Sequence, residues 1–452
     1  MAKRLWDKGG SLDQAVQQFT VGNDPQLDLA LVRWDCFGSA AHARMLTEAG
    51  ILPKAELPGI LEGLSSVREQ ALGGSFVIPP ELEDCHTAIE SALVEKLGES
   101  GKRIHAGRSR NDQVITAMRL YQRSSLIDLL LQVSQWCDAM AKRADELGDV
   151  DMPGYTHLQR AMPSSVGMWM HAFIESALSS MRFGLSVLES LDANPLGAAA
   201  GFGASLPLDR TLTAKLMGFS QVQRSPIDVQ NSRGRFELRV VHWCEEVSAL
   251  IEKLAWDMHL YFSEEFGFLD LPTELTTGSS IMPQKRNPDV LELLRARASR
   301  VRGAATELAW VVGKLPSNYH RDYQYSKEPV MRALQDTAES LDIVRHVVSL
   351  FTVNESALKA AMTQELYATY YAYRLVNEGK PFRDAYKETA DKVTKGEIDV
   401  DSLKADADAI KARAVTGIES AMKEIAGLSS AVFEHQRRFA DCERSVFEVK
   451  GK

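Results

Sequence analysis

The chain has 452 residues, 45% of them hydrophobic and 25% charged, an ordinary globular composition with enough apolar material for two or three domains. A formal net charge of −9 argues against nucleic acid as a partner, and no apolar run approaches the ~18 to 20 residues of a membrane span. The start, Met1 to Asp7, lacks the apolar stretch of a secretory signal, and five scattered cysteines form no C-x-x-C pair, so a cytoplasmic protein with reduced thiols is expected.

Short helical patterns broken by Pro53, Pro58, Pro79 and Pro80 fill the chain to residue 108. Alternating three- and four-residue apolar spacing then appears three times: Leu126, Leu130, Val133, Cys137 and Met140; Val240, Cys244, Val247, Ile251 and Leu254; and Leu291, Leu294, Ala298, Val301 and Ala305. This is the spacing of helices that pack along their length. Ser164 to Leu191 and Pro329 to Phe351 also read as helical, giving a bundle of five long helices. The last part is helical and charged, with turn signals near Gly379 and Gly396. A mainly α chain in three helical domains, 1–108, 109–355 and 356–452, is expected, without a strand ladder. Breaks at Gly148, Pro153, Pro195, Pro272 and Pro316 put the unusual motifs at helix ends, where backbone donors are free.

Gly197 to Gly203 is rich in glycine, but no strand precedes it and Leu206 stands where a dinucleotide fingerprint needs its third glycine. A tight helix crossing is the remaining reading. Arg108-Ser109-Arg110-Asn111-Asp112-Gln113 offers two guanidinium forks near a helix start, suited to a carboxylate or to pairing within itself. His157 is expected just before a helix, and Tyr319 to Pro329 is a polar connection. The ten histidines show no helical metal-ligand pairing. Gly278 to Asp289 sets hydroxyls, an ammonium and an amide on one loop, with Asn287 as N-cap, Pro288 at the first helical position and Asp289 in the first turn. Ser279 there is either a capping-loop residue or an activated hydroxyl beside an oxyanion cradle.

The string GSSIMPQKRNP closely resembles the signature of the aspartase/fumarase superfamily, whose members eliminate fumarate from substituted succinates. His105 to Gln113 and Gly154 to Arg160 resemble its other two signature regions and point to the argininosuccinate lyase branch. Further similarity lies at Leu5-Trp6, Asp35 to Leu52, Glu83 to His86, Asn194 to Gly197, Tyr319 to Pro329 and Gly379 to Arg383. The resemblance implies reversible β-elimination of L-argininosuccinate to fumarate and L-arginine, the last step of arginine biosynthesis, with no cofactor and no metal. It implies a homotetramer whose helices form a common core and whose sites each draw on three subunits.

By the same resemblance Ser279 is the base, with Ser280 the adjacent alternative. His157, oriented by Glu292, assists the leaving nitrogen, while Lys285 and Asn287 hold the developing charge. Ser109, Arg110, Asn111 and Thr156 touch the substrate, Tyr319, Gln324 and Lys327 select it, and Asp84 and His86 support the site. Asn231 to Phe236 departs from the family pattern, leaving Arg233 and Arg235 as alternatives for its arginine. Two other readings stand beside this one: a lyase for a different N-substituted aspartate, and a non-catalytic, crystallin-like structural protein.

Overall fold

The computed structural model describes residues 13–449, so the match at Leu5-Trp6 lies outside the described residues. The N-terminal part carries α1 (Gln14–Val21), α2 (Asp24–Asp28), α3 (Val32–Glu48), α4 (Leu57–Leu72), α5 (Cys85–Leu97) and α6 (Glu99–Arg103). Local chemistry sets these borders. Asp13 and Asp84 accept backbone N–H bonds as N-caps of α1 and α5, and both helices end at glycines of positive φ, Gly22 and Gly98.

Five long helices follow, as the apolar spacing predicts: α7 (Arg110–Leu147), α8 (Val166–Ser190), then, after the short α9 (Arg210–Leu216) and α10 (Pro226–Asn231), α11 (Arg235–Phe262), α12 (Asp289–Val312) and α13 (Lys327–Leu350). Ser109 starts α7 through a capping box with Asp112, and the Ser165 hydroxyl accepts the Met168 N–H at the start of α8. Consecutive bundle helices run antiparallel. Gly148 after α7 touches Gly167 at the start of α8, Trp169 reaches Asp257 near the end of α11, and Arg302 of α12 pairs with Glu252 of α11. Trp136, Trp243, Leu130 and Val240 lie fully inside, and the Trp243 indole N–H donates to the Ser180 carbonyl at 2.8 Å.

The expectation of no strand ladder is corrected by a hairpin, β1 (Asp151–Thr156) with β2 (Gln159–Ser165), between α7 and α8. Pro153 and Gly154 disfavour helix there, and the hairpin has no consistently buried face, so no apolar alternation marks it. Three further ladders are two residues long: β3 (Ala193–Asn194) with β4 (Gln221–Val222), β5 (Leu269–Asp270) with β8 (Thr352–Val353), and β6 (Thr277–Gly278) with β7 (Arg286–Asn287).

Beyond the bundle come α14 (Glu355–Ala361), α15 (Ala368–Asn377), α16 (Phe382–Lys395) and α17 (Val400–Phe447). Gly396 ends α16 in the left-handed conformation. The first turns of α17 share a small apolar cluster with Tyr367 and Tyr370, whereas Ile418, Ile425, Val432 and Phe439 join the main core. Among the described residues no helix is long and apolar enough to cross a membrane.

The α8–α11 crossing is a close-packed test of this interior. A Cβ built on Gly184 would lie 2.6 Å from both Leu130 Cδ2 and Trp243 Nε1. Gly184→Ala should therefore lower the unfolding midpoint through overpacking worth about 1–3 kcal/mol. Gly427→Ala on α17, where nothing lies within 4 Å, should raise it through about 0.5–1 kcal/mol of helix propensity. Paired thermal melts check both signs.

Candidate active site

The start of α7 gathers polar groups from distant parts of the chain. Ser109 Oγ accepts the Asn111 N–H at 3.3 Å, and Arg110 reaches Asp84 at 3.2 Å and the Thr87 hydroxyl at 2.7 Å. Asp84 is thus both the N-cap of α5 and the partner of a candidate substrate-binding arginine. Asp112 turns inward: one oxygen accepts the Ser109 N–H, and the other accepts the N–H groups of Gly197 and Ala199 at 2.9 and 2.8 Å. The Gly/Ala segment is therefore a loop wound on a carboxylate, and the expected helix crossing is corrected. Gly197 and Gly201 permit the winding with φ of 88° and 100°.

Behind this surface His86 Nδ1 meets Asp35 at 3.0 Å, and Gln113 donates to the same carboxylate at 2.9 Å. Burial alone would push Asp35 up and His86 down. Their mutual attraction, with Arg108 and Gln113 adding to it at Asp35, instead holds Asp35 below its ordinary range and His86 above. Lys327, 2% exposed, binds Asp28 at 2.7 Å and Asp24 at 3.1 Å. The predicted contact Lys327 is thus committed to an internal ion pair, and Gln324 Nε2 donates to the Thr20 and Val21 carbonyls. Asp28, Cys85 and His86 lie close enough to suggest a metal site. Lys327 and the Cys85 N–H already occupy Asp28, Asp35 occupies His86 Nδ1, and burial pushes the Cys85 thiol well up.

Arg233 and Arg235 separate clearly. Arg233 is 5% exposed, its guanidinium 5.6 Å from the Tyr319 ring and 5.9 Å from that of Tyr323. Arg235 is exposed and pairs with Asp228 at 3.0 Å. Arg233 is the arginine that faces the Tyr319 segment.

At the opposite end of the bundle His157 does not precede a helix, as expected, but forms with Leu158 the two-residue turn between β1 and β2. Their φ values of 54° and 55° are those of a type I′ turn, normally filled by Asn-Gly, so a strained backbone presents the imidazole. Thr156 and His157 are exposed, and His157 lines a cleft of about 430 Å³ with Tyr155, Asp257 and Tyr261.

The loop after α11 is closed by the pairing of Thr277 with Asn287 and of Gly278 with Arg286. This pairing corrects the expected cap: Asn287 is held in the ladder, Pro288 takes the N-cap position, and the Thr277 hydroxyl bonds Asp289. Within the loop Ser279 Oγ accepts the N–H groups of Met282 and Ile281 at 3.1 and 3.3 Å. Two amides aimed at a hydroxyl oxygen favour the build-up of negative charge on it. Ser280 and Lys285 are exposed beside it, and Glu292, in the first turn of α12, points outward. Among the described residues no hydrogen bond or ion pair joins Glu292 to His157.

The 38 residues of α7 span about 57 Å at about 1.5 Å per residue, and they separate Ser109 from the hairpin that carries His157. Within one chain the Ser109 and His157 groups cannot meet. Sequence reasoning did not find Asp24, Asp28 or the role of Asp112. Lys327, which pairs with Asp24 and Asp28, and the Gly197 and Ala199 amides that Asp112 accepts besides its capping-box partner Ser109, lie tens or hundreds of residues away, where no local pattern marks them.

A family model described as Lyase matches residues 8–303. A chain from Phocaeicola vulgatus named argininosuccinate lyase is 40% identical over 387 residues, 86% of this chain and 87% of that one. One of the same name from Sorangium cellulosum is 42% identical over 390 residues, 86% and 90%. The crystal structure of EDDS lyase in complex with formate matches with a TM-score of 0.81 at 22% identity, over 97% of this chain and 95% of that one, a likeness of fold.

The Asp35–His86 pair has a defined pH signature. Asp35, held low, contributes stability above a carboxylate's ordinary value of about 4 that is lost as pH falls through its depressed value. His86, held high, contributes below about 6.5 and loses that contribution as pH rises through its raised value. The melting-temperature deficit of Asp35→Asn should thus be largest between about pH 4 and 6.5 and shrink on either side, measured by melts across pH; a flat deficit would contradict the pairing.

Proposed function

The chain belongs to the argininosuccinate lyase family, and on that footing we propose that it cleaves L-argininosuccinate to fumarate and L-arginine as a cytoplasmic homotetramer. The observation that carries this reading is the Ser279 hydroxyl oxygen, already served by two backbone amides on a glycine-tethered loop. Removing a proton from carbon beside an ionised carboxylate creates a dianionic aci-carboxylate, which is very unfavourable in water. A base made of Ser279 needs its own charge stabilised, and its two amide donors do that. Lys285, Asn287 and the free amides at the start of α12 then serve the substrate carboxylate, each donor worth about 2.7–4 kcal/mol.

As the C–N bond breaks, its electron pair passes to the guanidinium nitrogen, which takes a proton from His157. Glu292 orients the imidazole and balances its charge, an acid contribution of about 10² to 10⁴ in rate. Ser109, Asn111 and Thr156 bind the succinyl part, with Arg110 held ready by Asp84. Tyr319 and Arg233 face the arginine part. Gln324 and Lys327 act in this reading by fixing the N-terminal segment there, with Asp24 and Asp28 as the Lys327 partners.

The length of α7 supports sites shared between subunits. Ser109 of one chain needs His157 and Ser279 from others, and exposed apolar residues on the bundle, among them Leu293, Trp310 and Ile343, give partner chains a surface to cover.

Fumarate release followed by ultraviolet absorbance, with argininosuccinate beside other N-substituted aspartates, tests the reading. Argininosuccinate should be preferred, and Ser279→Ala should fold normally while losing about a thousandfold or more in kcat. Preference for another succinyl amine would leave the chemistry and overturn the substrate. Re-assembly of Ser279→Ala with His157→Asn chains, each nearly inactive, should restore on the order of a quarter of the sites by random assortment; no recovery in verified mixed tetramers would count against shared sites.

A further inference from the structure

The last turn of α10 bonds to two loops at once. Gln230, 1% exposed, donates from Nε2 to the Ala199 carbonyl at 3.1 Å. Asn231, the next residue, accepts the Asn318 N–H on Oδ1 at 2.7 Å and donates from Nδ2 to the Ser317 hydroxyl at 3.4 Å. The helix itself is pinned by Val229, which is buried with Ile115 of α7 and Ala198 in a small apolar cluster.

Both loops belong to the Ser109 end. Ala199 lies in the Gly/Ala segment, whose Gly197 and Ala199 amides bind Asp112 behind Ser109. Asn318 immediately precedes Tyr319, and its φ of 74° is a backbone that asparagine tolerates but does not prefer. The Asn231 bond holds that turn in place, while Arg233, two residues further on, faces the Tyr319 ring at 5.6 Å. One short segment therefore fixes the backbone just before Tyr319 and meets its ring. The two loops also touch: a Cβ on Gly201 would lie 2.8 Å from both Asn318 Oδ1 and Gln230 Cγ, so no side chain fits between them.

We propose that Asn231, with Gln230, is a positioning residue for substrate choice: it docks the Tyr319 turn against the loop that Asp112 winds at the start of α7. The inference rests on the reading above, in which Tyr319 and Arg233 face the arginine part and Ser109 the succinyl part. Asn231 and Gln230 then set how far the two parts of the site stand from each other, without touching the substrate. A loosened turn would shift Tyr319 relative to Ser109 but leave the Ser279 loop and the His157 hairpin as they are. Binding of the arginine part is weakened and the elimination step is not.

The test measures kcat and KM in the assembled enzyme for argininosuccinate and for succinylated agmatine, the same molecule without the arginine carboxylate that Arg233 can attract. Asn231→Leu keeps the size of the side chain and loses the acceptor, whereas Asn231→Asp keeps an oxygen for the Asn318 N–H. Asn231→Leu should raise KM for argininosuccinate about three- to tenfold, the worth of one hydrogen bond. Its kcat, and the KM of the agmatine compound, should move less than about twofold. Asn231→Asp should restore most of the loss. In a Tyr319→Ala background Asn231→Leu should add less than about twofold, because its effect passes through the tyrosine. Gln230→Met, which removes the donor to Ala199, should split the two substrates in the same way and serves if Asn231→Leu does not fold. Size-exclusion chromatography and circular dichroism check each variant.

If Tyr319→Ala lowers the preference for argininosuccinate while Asn231→Leu and Gln230→Met match wild type, the positioning role is wrong and the reading of the site stands. If Tyr319→Ala leaves that preference unchanged, the reading of the arginine side fails and this inference fails with it. Equal losses on both substrates, a loss that Asn231→Asp does not restore, or one that adds in full to Tyr319→Ala mark a merely structural residue and overturn the proposal.

Discussion

The rigidity of long antiparallel helices governs this protein. A helix of 38 residues has no hinge that could bring its two ends together, and α7 carries a polar motif at each end. The same holds for α11, with Arg233 just before it and the Ser279 loop after it, and for α12, with that loop before it and Tyr319 after it. The connections between helices are where backbone donors are unpaired and side chains can depart from core packing, so the chemistry collects there. An apolar interior made of Leu, Val, Ala and Trp gives those connections a fixed spacing. It also forces any site that needs both ends to be assembled from more than one chain.

The two ends are built differently. Around Ser109 the groups are interior and paired: Asp112 with three amides, Asp35 with His86, Lys327 with two aspartates, Arg233 against tyrosine rings. Such a layer adds little net stability, because taking charges out of water offsets most of their attraction. Its effect is geometric, since removing one partner leaves a buried charge uncompensated and the arrangement has no cheap alternative. Around His157 and Ser279 the groups are exposed or half-buried, on a tight hairpin and a short-laddered loop. One end has its polar groups paired inside the chain, and the other presents its polar groups at the surface.

How far this was legible from the residues depends on range. Helices α7, α11 and α12 announce themselves by apolar spacing, because each packs a continuous stripe over many turns. The Ser109 cap and the Gly396 stop are local and equally readable. The hairpin at His157 was not, since neither face is consistently buried and so no period-two pattern exists to see. The Asn287 cap was misjudged because pairing with Thr277 across the loop outcompetes a good local capping residue. Ser279, His157 and Lys285 were singled out through the family signature, not through physics that a single sequence displays. Lys327 shows the limit: the resemblance makes it a substrate contact, but only the fold reveals that Asp24 and Asp28 already pair with it.

The strained turn at His157 and Leu158 follows from the same division. Two non-glycine residues at positive φ cost of order 1–3 kcal/mol each, and Leu158 is left 66% exposed at the tip. Glycine at either place would relieve the backbone but would let the turn sample many shapes. With the side chains present, β1 and β2 hold the turn in one shape, and the root of the hairpin is fixed by Trp169, Tyr261 and the ring of Tyr155 packed against Phe266. The strain is therefore affordable only because the aromatic cluster at the top of α8 and α11 is rigid. No hydrogen bond within the described residues aims the His157 ring, so the direction of this exposed imidazole is set by its own backbone, and the departure from an easy turn is where that is visible.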